Sequence, residues 1–370
     1  MKKLRILHVV SDLDRGGVEK QMIGVIHALP NLEHHVYSLL GDGPLSEEIG
    51  NINTIFSKSQ NPFQIFLELR NCIRQIQPDI VQTWMFHSDL IGGLATMGTG
   101  TPVIWSYHAS KLDRKSLKFT TFLVIKLLSL LSHFVPRSVI ACSQSSFDAA
   151  LENRYSKKKI AIIHNGIDTN HYVPNSEIHK RAERVVVLPA RWHVHKGHSF
   201  VLEAWKLLKE NEVPGKLVLM GYQVDKTNIE LNRLIEAHGI SATVSVLGEI
   251  SDMRAVYQSA DIVVISSLTE AMPLVLVEAM ACGLVPVVTD VGDMREMIGG
   301  AGSSCQAGNA QALSQALEFV LLMNESVFRE QSRLSHELAM EKFDIRNTAT
   351  NYAEQWSMVS SQFPVMRSCK

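Results

Sequence analysis

Two carboxylates in unlike surroundings are the first residues of this sequence whose types and spacing could do chemistry. Glu270 and Glu278 stand eight residues apart, the first in a predicted turn and the second two turns into an apolar helix. An unpaired carboxylate in such a helix is costly, so Glu278 should accept hydrogen bonds, and a ribose diol offers two donors. A hydrolase could use two such groups as acid and base, but their different settings favour two binding roles.

Two cations follow a predicted strand in the second half of the chain. Arg191 and Lys196 leave the end of this strand together and can both reach a diphosphate, the guanidinium as a fork and the ammonium as a point charge. Beside a departing phosphate they would stabilise the developing negative charge without a metal. The alternative interpretation is a pair of solvated surface cations.

Backbone amides are a further set of candidate donors. At the start of the apolar helix, the amides of Met272, Leu274 and Val275 point at whatever anion or hydroxyl lies before it. Near the N-terminus, Gly16 and Gly17 stand where the first predicted helix begins, and glycine there lets amides approach a phosphate closely. A tight turn without a ligand is the alternative for these two glycines.

The same N-terminal loop bears on cofactors. It lacks the G-x-G-x-x-G pattern, which disfavours a dinucleotide cofactor and with it an oxidoreductase. Asp12 and Asp14 form a D-x-D triplet that could present two carboxylates to a divalent metal. An aspartate at this place more often caps the following helix, so neither a metal nor another cofactor is expected.

Short β-branched runs alternate with helical patterns, and these elements must position the candidate residues. Predicted strands that are apolar on both faces and separated by crossover helices imply a parallel sheet covered on both sides. In the first half, strands are predicted at residues 4–10, 35–40, 80–83, 103–106, 139–141 and 160–163. In the second half, they are predicted at residues 185–190, 217–220, 244–247, 262–265 and 285–289.

The alternation starts twice, which predicts an α/β chain of two tandem Rossmann-like, doubly wound domains. The first domain covers residues 1–166, a linker covers 167–182 and the second domain covers 183–344. The last helical pattern, 345–370, has no strand partner and is expected to pack back on the first domain. Ligands of such sheets lie outside the carboxyl ends of the strands, so a cleft between the domains is the expected site.

Composition and charge disfavour several classes of protein. With 36 basic and 37 acidic side chains, a net charge of −1 gives no basic surface for nucleic acid. The 5 cysteines are scattered, which suits neither a disulfide framework nor a zinc site and fits a reducing cytoplasm. The apolar run at residues 6–10 is too short for a secretion signal.

Charge is uneven along the chain, and one apolar stretch follows a basic run. Residues 1–170 carry 18 basic and 14 acidic side chains, whereas the remainder carries 18 and 23.

Residues 119–136 fall short of a membrane span, because Lys126 and His133 interrupt them. After the basic run at residues 111–118, an interfacial amphipathic helix is one interpretation, and a buried helix with a solvated basic start is the favoured one.

The stretch from Ser266 to Gly283 resembles the E-x7-E signature of retaining glycosyltransferases of family 4, which have the two-domain GT-B fold. The resemblance extends over nearly the whole chain. Its five segments are the Gly16-Gly17 loop, an N-G-[IV]-D segment at residues 164–168, Arg191 with Lys196-Gly197, residues 259–262, and Glu270 to Gly283. One such match would be weak, but five in the same order are specific.

The resemblance implies a role for each matched residue of the second domain. Arg191 and Lys196 would hold the donor diphosphate, and Glu278 would hold the ribose hydroxyls. Glu270, with the amides that open the apolar helix, would contact the transferred sugar. In this segment Met272-Pro273 stands where the family commonly has Phe-Gly, which removes one amide.

The resemblance also implies two contributions from the first domain. His108 matches the family's active-site histidine near the sugar, so the expected catalytic residues are this histidine, Arg191, Lys196 and Glu270. Gly16 and Gly17 would approach the donor phosphates from the opposite wall of the cleft.

The chain is therefore expected to be a metal-independent, retaining glycosyltransferase that moves a sugar from a nucleotide diphosphate to an acceptor hydroxyl. The expected acceptor is a growing cell-surface polysaccharide or glycolipid on a lipid carrier, reached from the cytoplasm with peripheral contact of the first domain to the membrane. The alternatives are a nucleotide-sugar epimerase, another GT-B enzyme, and a non-catalytic nucleotide-sugar-binding module.

Overall fold

Two compact units make up the chain, each built on one parallel sheet. The computed structural model describes residues 3–110, 118–174 and 183–363. The first unit comprises Met1–Gly166 with Ile345–Lys370, and the second comprises Ile167–Asp344. This is the predicted α/β architecture of two Rossmann-like, parallel-sheet domains, which confirms the fold class.

The first unit is a seven-stranded sheet with the order β3-β2-β1-β4-β5-β6-β7, and every neighbouring pair is parallel. Its strands are β1 (Arg5–Val10), β2 (Glu33–Ser38), β3 (Asn53–Phe56), β4 (Ile80–Trp84), β5 (Val103–Tyr107), β6 (Ser138–Ala141) and β7 (Ile160–Ile162). Strands β4, β5 and β6 are buried at every residue, because helices cover both faces of the sheet.

Among the residues that the structure describes, seven helices belong to the first unit. They are α1 (Gly17–Ala28), α2 (Ser46–Ile49), α3 (Pro62–Ile76), α4 (Phe86–Thr96), α5 (Phe119–Leu131), α6 (Gln144–Glu152) and the C-terminal α14 (Ile345–Gln362). Helix α14 packs against α1, and its Trp356 indole N–H donates to the Gln82 amide oxygen of β4 at 3.0 Å. The end of the chain is thereby part of the first unit's core.

The second unit is a six-stranded parallel sheet with the order β10-β9-β8-β11-β12-β13. Its strands are β8 (Val185–Pro189), β9 (Lys216–Met220), β10 (Val244–Val246), β11 (Ile262–Ile265), β12 (Val285–Thr289) and β13 (Ser303–Cys305). Its helices are α7 (His198–Glu210), α8 (Ile229–Ala237), α9 (Met253–Tyr257), α10 (Leu274–Ala281), α11 (Met294–Ile298), α12 (Ala310–Leu321) and α13 (Glu325–Lys342).

Two edge strands were absent from the sequence prediction. Strands β3 and β13 each lie at the edge of a sheet, and they have only 4 and 3 residues. Their side chains are exposed or half-buried, so they lack the apolar pattern that identified the inner strands. The predicted strand at residues 35–40 was also displaced, since β2 begins at Glu33 and ends at Ser38.

Helix α5 is exposed on one side, although the sequence favoured a buried helix at this position. Within it, only Ile125, Leu128 and Ser129 are buried. One side instead presents large apolar residues, here named the α5 face: Phe119, Leu123, Leu127, Leu130 and Phe134, which are 42% to 75% exposed. A helix that is apolar all round gives no periodic signal for which side is buried, and the interpretation as a buried helix was wrong for this side.

The membrane-related predictions have two further outcomes. Lys111, Arg114 and Lys115 lie outside the described residues, whereas Lys118 is exposed just before α5. Within the ranges that the structure describes, no helix has the length and apolar character needed to cross a membrane.

Candidate functional site

Three loops of the second unit meet at the carboxyl ends of adjacent strands. They follow β8, β11 and β12, and the order of the strands reverses between β8 and β11, which is where open α/β sheets bind ligands. The amide of Leu268 donates to the His195 carbonyl at 2.8 Å, and the Ser266 hydroxyl donates to the Lys196 carbonyl at 2.9 Å. The loop after β8 and the loop after β11 are therefore joined by their backbones.

An ion pair joins the same two loops through their side chains. The Lys196 ammonium lies 2.5 Å from Glu270 Oε1, and the Ser267 hydroxyl donates to the same oxygen at 2.8 Å. Both charged side chains are largely buried, with 25% and 13% exposure. The structure thus brings together two residues that are 74 positions apart, and it adds Ser267, which the sequence analysis did not single out.

Two glycines allow these loops to approach so closely. Gly197 has a φ of +70°, and a Cβ there would lie 2.0 Å from the Ser266 carbonyl oxygen. Gly292 has a φ of +59°, and its Cβ would lie 2.1 Å from the Glu270 carbonyl oxygen. Any side chain would push the loops apart, because neither oxygen belongs to a flexible side chain. Gly292 was missed, since nothing in its local sequence separates it from an ordinary turn glycine.

Arg191 is a cation without a partner among the described residues. It is exposed, and no hydrogen-bond acceptor or carboxylate contacts its guanidinium in the described part of the chain. Its backbone is held on both sides, because the amide of Ala190 donates to the Met220 carbonyl at 2.9 Å and that of Trp192 donates to the Tyr222 carbonyl at 2.8 Å. Lys196 is therefore paired and held within the protein, whereas Arg191 is available to an external anion.

The predicted amide donors lie at the beginning of α10. Pro273 precedes the helix with extended backbone and no side-chain cap, and the side chains of Met272 and Leu274 are 5% and 8% exposed. The first N–H groups of a helix, here from Leu274 and Val275, have no intrahelical acceptor. Their contact with a donor molecule stays a prediction.

Glu278 is almost completely buried on α10, with 3% exposure. The hydroxyl of Tyr257, which is fully buried, donates to Glu278 Oε2 at 3.1 Å. The expectation that this carboxylate accepts a hydrogen bond is confirmed, but the donor seen here belongs to the protein. Tyr257 was missed because it lies 21 residues away and on another helix.

The glycine loop of the first unit has a different character. Gly16 is the N-cap of α1, and a Cβ there would lie 2.0 Å from Glu19 Oε2, so the Glu19 carboxyl lies over the loop. Burial raises the pKa of Glu19 to about 7; a backbone hydrogen bond opposes this, and the charges of Asp12 and Asp14 add to it. Gly17 begins the helix and is exposed. The approach of these glycines to a phosphate stays a prediction.

The two aspartates of the D-x-D triplet serve the local turn. Asp12 Oδ1 accepts from the amide of Asp14 at 3.1 Å, and Asp14 Oδ1 accepts from the amide of Arg15 at 2.8 Å. Among the described residues, no group of three or more His, Cys, Asp or Glu side chains could hold a metal ion.

His108 follows β5 in the first unit, with its ring 5.9 Å from that of Trp84. Both ring nitrogens are buried, and neither has a hydrogen-bond partner within residues 3–110, 118–174 and 183–363. Burial lowers the pKa of this histidine to about 4. The ring is thus neutral at physiological pH, with one donor and one acceptor available to a ligand.

Two family models match the chain one after the other. Residues 15–171 match the model described as Glycosyltransferase Family 4, and residues 174–335 match the model described as Glycosyl transferases group 1.

Curated relatives are distant but cover most of the chain. A UDP-Gal:alpha-D-GlcNAc-diphosphoundecaprenol alpha-1,3-galactosyltransferase from Escherichia coli is 23% identical over 314 residues, 78% of this chain and 80% of that protein. A GalNAc-alpha-(1->4)-GalNAc-alpha-(1->3)-diNAcBac-PP-undecaprenol alpha-1,4-N-acetyl-D-galactosaminyltransferase from Campylobacter jejuni is 20% identical over 381 residues, 95% of this chain and 97% of that protein.

Solved structures share the fold. Anabaena HepE, crystallised in complex with UDP, has a TM-score of 0.83 at 20% identity, covering 96% of this chain and 100% of that one. A sucrose-phosphate synthase from Thermosynechococcus elongatus has a TM-score of 0.81 at 16% identity, covering 97% of this chain and 100% of that one.

Proposed function

We propose, from the premise that this chain is a GT-B glycosyltransferase with a family 4 domain followed by a group 1 domain, that it transfers a sugar with retention from a nucleotide diphosphate to an acceptor hydroxyl. The observation that carries the proposal is the Lys196–Glu270 pair, 2.5 Å long, at the point where the strand order of the second unit reverses.

The two cations have separate roles in this proposal. Lys196 is held in place by Glu270 at its ammonium and by Ser266 at its carbonyl, so it presents a fixed charge to the departing phosphate. Arg191 has no carboxylate partner in the described residues and binds the diphosphate in a bidentate manner. Together they stabilise the charge that develops on the leaving group, and the transfer is proposed to need no metal.

The proposed transfer takes place on one face of the sugar. The bond from the anomeric carbon to the diphosphate oxygen breaks, and a bond to the acceptor oxygen forms on the same face. The departing phosphate takes the acceptor proton, so atoms and charge balance without a protein base. Glu270 and the amides that open α10 hold the sugar, Glu278 holds the ribose, and Gly16 and Gly17 approach the phosphates.

His108 is proposed as the first unit's contribution to the sugar. Because its ring is neutral and both nitrogens lack protein partners in the described residues, it can exchange hydrogen bonds with a sugar hydroxyl. Its role is therefore positioning of the sugar rather than proton transfer at neutral pH.

The proposed acceptor is a lipid-linked saccharide of cell-surface polysaccharide or glycolipid assembly, approached from the cytoplasm. Two of the relatives are named for diphosphoundecaprenol-linked and PP-undecaprenol-linked saccharides, which supports this class. The α5 face supports membrane contact as well, because Lys118 and Lys126 are exposed beside it. Lys159 donates to the His133 and Pro136 carbonyls at 2.9 and 2.8 Å, which places the Lys157–Lys159 turn next to the end of this face.

Incubation with a panel of nucleotide sugars tests the activity. Release of nucleoside diphosphate, stimulated by a lipid extract from bacteria, is the expected result, and an α-linked product from an α-linked donor would establish retention. Formation of an epimer without release would favour an epimerase, and binding without turnover would favour a binding module. Full activity in the presence of a chelator is expected for metal-independent transfer.

Vesicle sedimentation tests the membrane contact. The protein should bind vesicles of phosphatidylcholine and phosphatidylglycerol, lose binding in high salt, and bind pure phosphatidylcholine weakly. A Leu123→Glu/Leu130→Glu variant should no longer bind, whereas Leu322→Glu, an equally exposed leucine of the second unit, should bind as the wild type does. Equal binding of both variants would exclude the α5 face as the contact.

A further inference from the structure

Glu278 is a buried carboxylate whose charge is stabilised by hydroxyl groups. It is 3% exposed in a helix that otherwise buries apolar side chains, including Leu276, Val277 and Met280. None of the ion pairs within the described residues includes it. An ionised carboxylate in such a place needs hydrogen-bond donors, because burial without them costs several kcal/mol.

Two tyrosines face this carboxylate from different elements. Tyr257, at the end of α9, donates to Glu278 Oε2 at 3.1 Å. Tyr172 precedes β8 in the second unit, and its side chain interacts electrostatically with Glu278. The two tyrosine rings lie 6.2 Å apart, so they form one wall beside the carboxylate.

The segment that carries Tyr172 is fixed to the helices around Glu278. The Gln258 side chain, which follows Tyr257 directly, donates to the Val173 carbonyl at 3.1 Å. Pro174 lies beside Gly283, where a Cβ would be 3.5 Å from the proline Cβ. The hydroxyl of Tyr172 is therefore brought to Glu278 by packing, although 106 residues separate them in the sequence.

Both hydroxyls keep their protons at the pH of any assay. Burial raises the pKa of Tyr257 and of Tyr172 above the ordinary value, and the negative charge of Glu278 raises each of them further. A protonated phenol near a carboxylate can only lower its energy by donating to it. The pair thus favours one orientation of the Glu278 oxygens.

We propose that Tyr257 and Tyr172 are positioning residues that hold the Glu278 carboxylate in one orientation, so that its Oε1 accepts from the ribose hydroxyls of the donor nucleotide. This inference rests on the proposed function, in which Glu278 binds the ribose. A carboxylate can accept about four hydrogen bonds, so the tyrosines leave capacity for both hydroxyls of a ribose diol.

Calorimetric titration with UDP, GDP and ADP tests the proposal. With the nucleotide that binds the wild type, Tyr257→Phe should weaken binding about tenfold at pH 8, which is the usual effect of one hydrogen bond to a charged group. Tyr172→Phe should show the same pattern more weakly.

Three comparisons separate positioning from a structural effect. The 2′-deoxy form of the same nucleotide should bind wild type and Tyr257→Phe nearly equally, since the contact to the ribose is then incomplete. In a Glu278→Gln background, Tyr257→Phe should have little further effect. Tyr352→Phe is the matched control: its hydroxyl is buried in the first unit without a partner among the described residues, and its loss should leave binding unchanged.

The outcomes distinguish failure of this inference from failure of the proposed function. If the wild type binds none of the three nucleotides and releases none from nucleotide sugars, the proposed function is wrong. If the wild type binds and both Tyr257→Phe and Tyr172→Phe bind as tightly as the wild type, the positioning role is wrong. Should Tyr257→Phe fail to fold, as judged by thermal unfolding, Tyr172→Phe decides, because that side chain is only half-buried.

Discussion

The first loop of each unit occupies the same place in its sheet, yet the two loops carry opposite charge. Each connects the first strand of its unit to the first long helix, β1 to α1 and β8 to α7. The loop of the first unit carries Asp12 and Asp14, with the Glu19 carboxyl lying over it. The loop of the second unit carries Arg191 and Lys196.

The glycines of the two loops also differ, because an added Cβ would meet a side chain in one loop and backbone in the other. In the first unit, a Cβ on Gly16 would meet the end of the flexible Glu19 side chain. In the second unit, a Cβ on Gly197 would meet the Ser266 carbonyl, which belongs to the backbone of another loop. The Glu19 carboxyl therefore lies at the N-terminus of α1 and would have to turn away for a phosphate to approach, whereas the loop before α7 leaves a cation for an external anion. The topology fixes where a loop lies, and the side chains decide which charge it can bind.

Removing the fixed cation should have the largest effect. Lys196→Ala should lower turnover about a thousandfold or more with the fold intact, because the leaving phosphate loses its preorganised charge. Lys206→Ala is the matched control, since it also removes a lysine that pairs with a glutamate, 3.5 Å away on the exposed side of α7. Initial rates with a saturating donor would measure both. Near-normal turnover in folded Lys196→Ala would show that the loop after β8 does not stabilise the donor phosphates during transfer.

The two glycines can be compared by the same substitution. Gly197→Ala should lower the free energy of unfolding by about 2–4 kcal/mol, because it combines a left-handed backbone with a backbone clash. Gly16→Ala should cost about 1 kcal/mol or less, since the Glu19 side chain can turn away. A Gly16→Ala/Glu19→Ala variant should recover that loss. Urea unfolding measures all three, and equal costs at both glycines would contradict this account of the loops.

The smallest expected effect concerns the pH dependence of stability. With its pKa raised to about 7, Glu19 binds its proton more tightly in the folded chain than in the unfolded one, whose pKa is near 4.5. The contribution of Glu19 to the free energy of unfolding is therefore favourable at low pH, and it is lost as the pH rises to about 7. Glu19→Gln should remove this loss and be more stable than the wild type at pH 8 by about 1–2 kcal/mol.

The advantage of Glu19→Gln should shrink towards pH 5, where the wild-type carboxyl is protonated in the folded state. Thermal unfolding at pH 5, 7 and 8 would measure it, with Glu47→Gln on the exposed α2 as a control. If the stability difference between Glu19→Gln and the wild type does not change with pH, then burial and the neighbouring aspartates do not raise the pKa of Glu19.

Much of the fold follows from the sequence because the inner strands are short and apolar on both faces. Such strands have few alternatives to a parallel sheet covered by helices, and the crossover helices between them are marked by their own periodicity. Strands β3 and β13 could not be predicted in this way, because an edge strand is defined by pairing with its neighbour rather than by an apolar pattern of its own. The exposed side of α5 could not be predicted either, because apolar residues surround the whole helix and give no periodic signal.

The sequence by itself determined the two-unit α/β architecture, the place of Glu270 and Glu278 relative to α10, and the loop that carries Arg191 and Lys196. Only the tertiary structure decided which of these charges are paired: Lys196 with Glu270, and Glu278 with the hydroxyl of Tyr257. The physical reason is that hydrogen bonds and ion pairs depend on distances of a few ångströms between segments 21 to 74 residues apart. Local periodicity specifies elements, whereas those distances are set by how the sheets order their strands and bring their loops together.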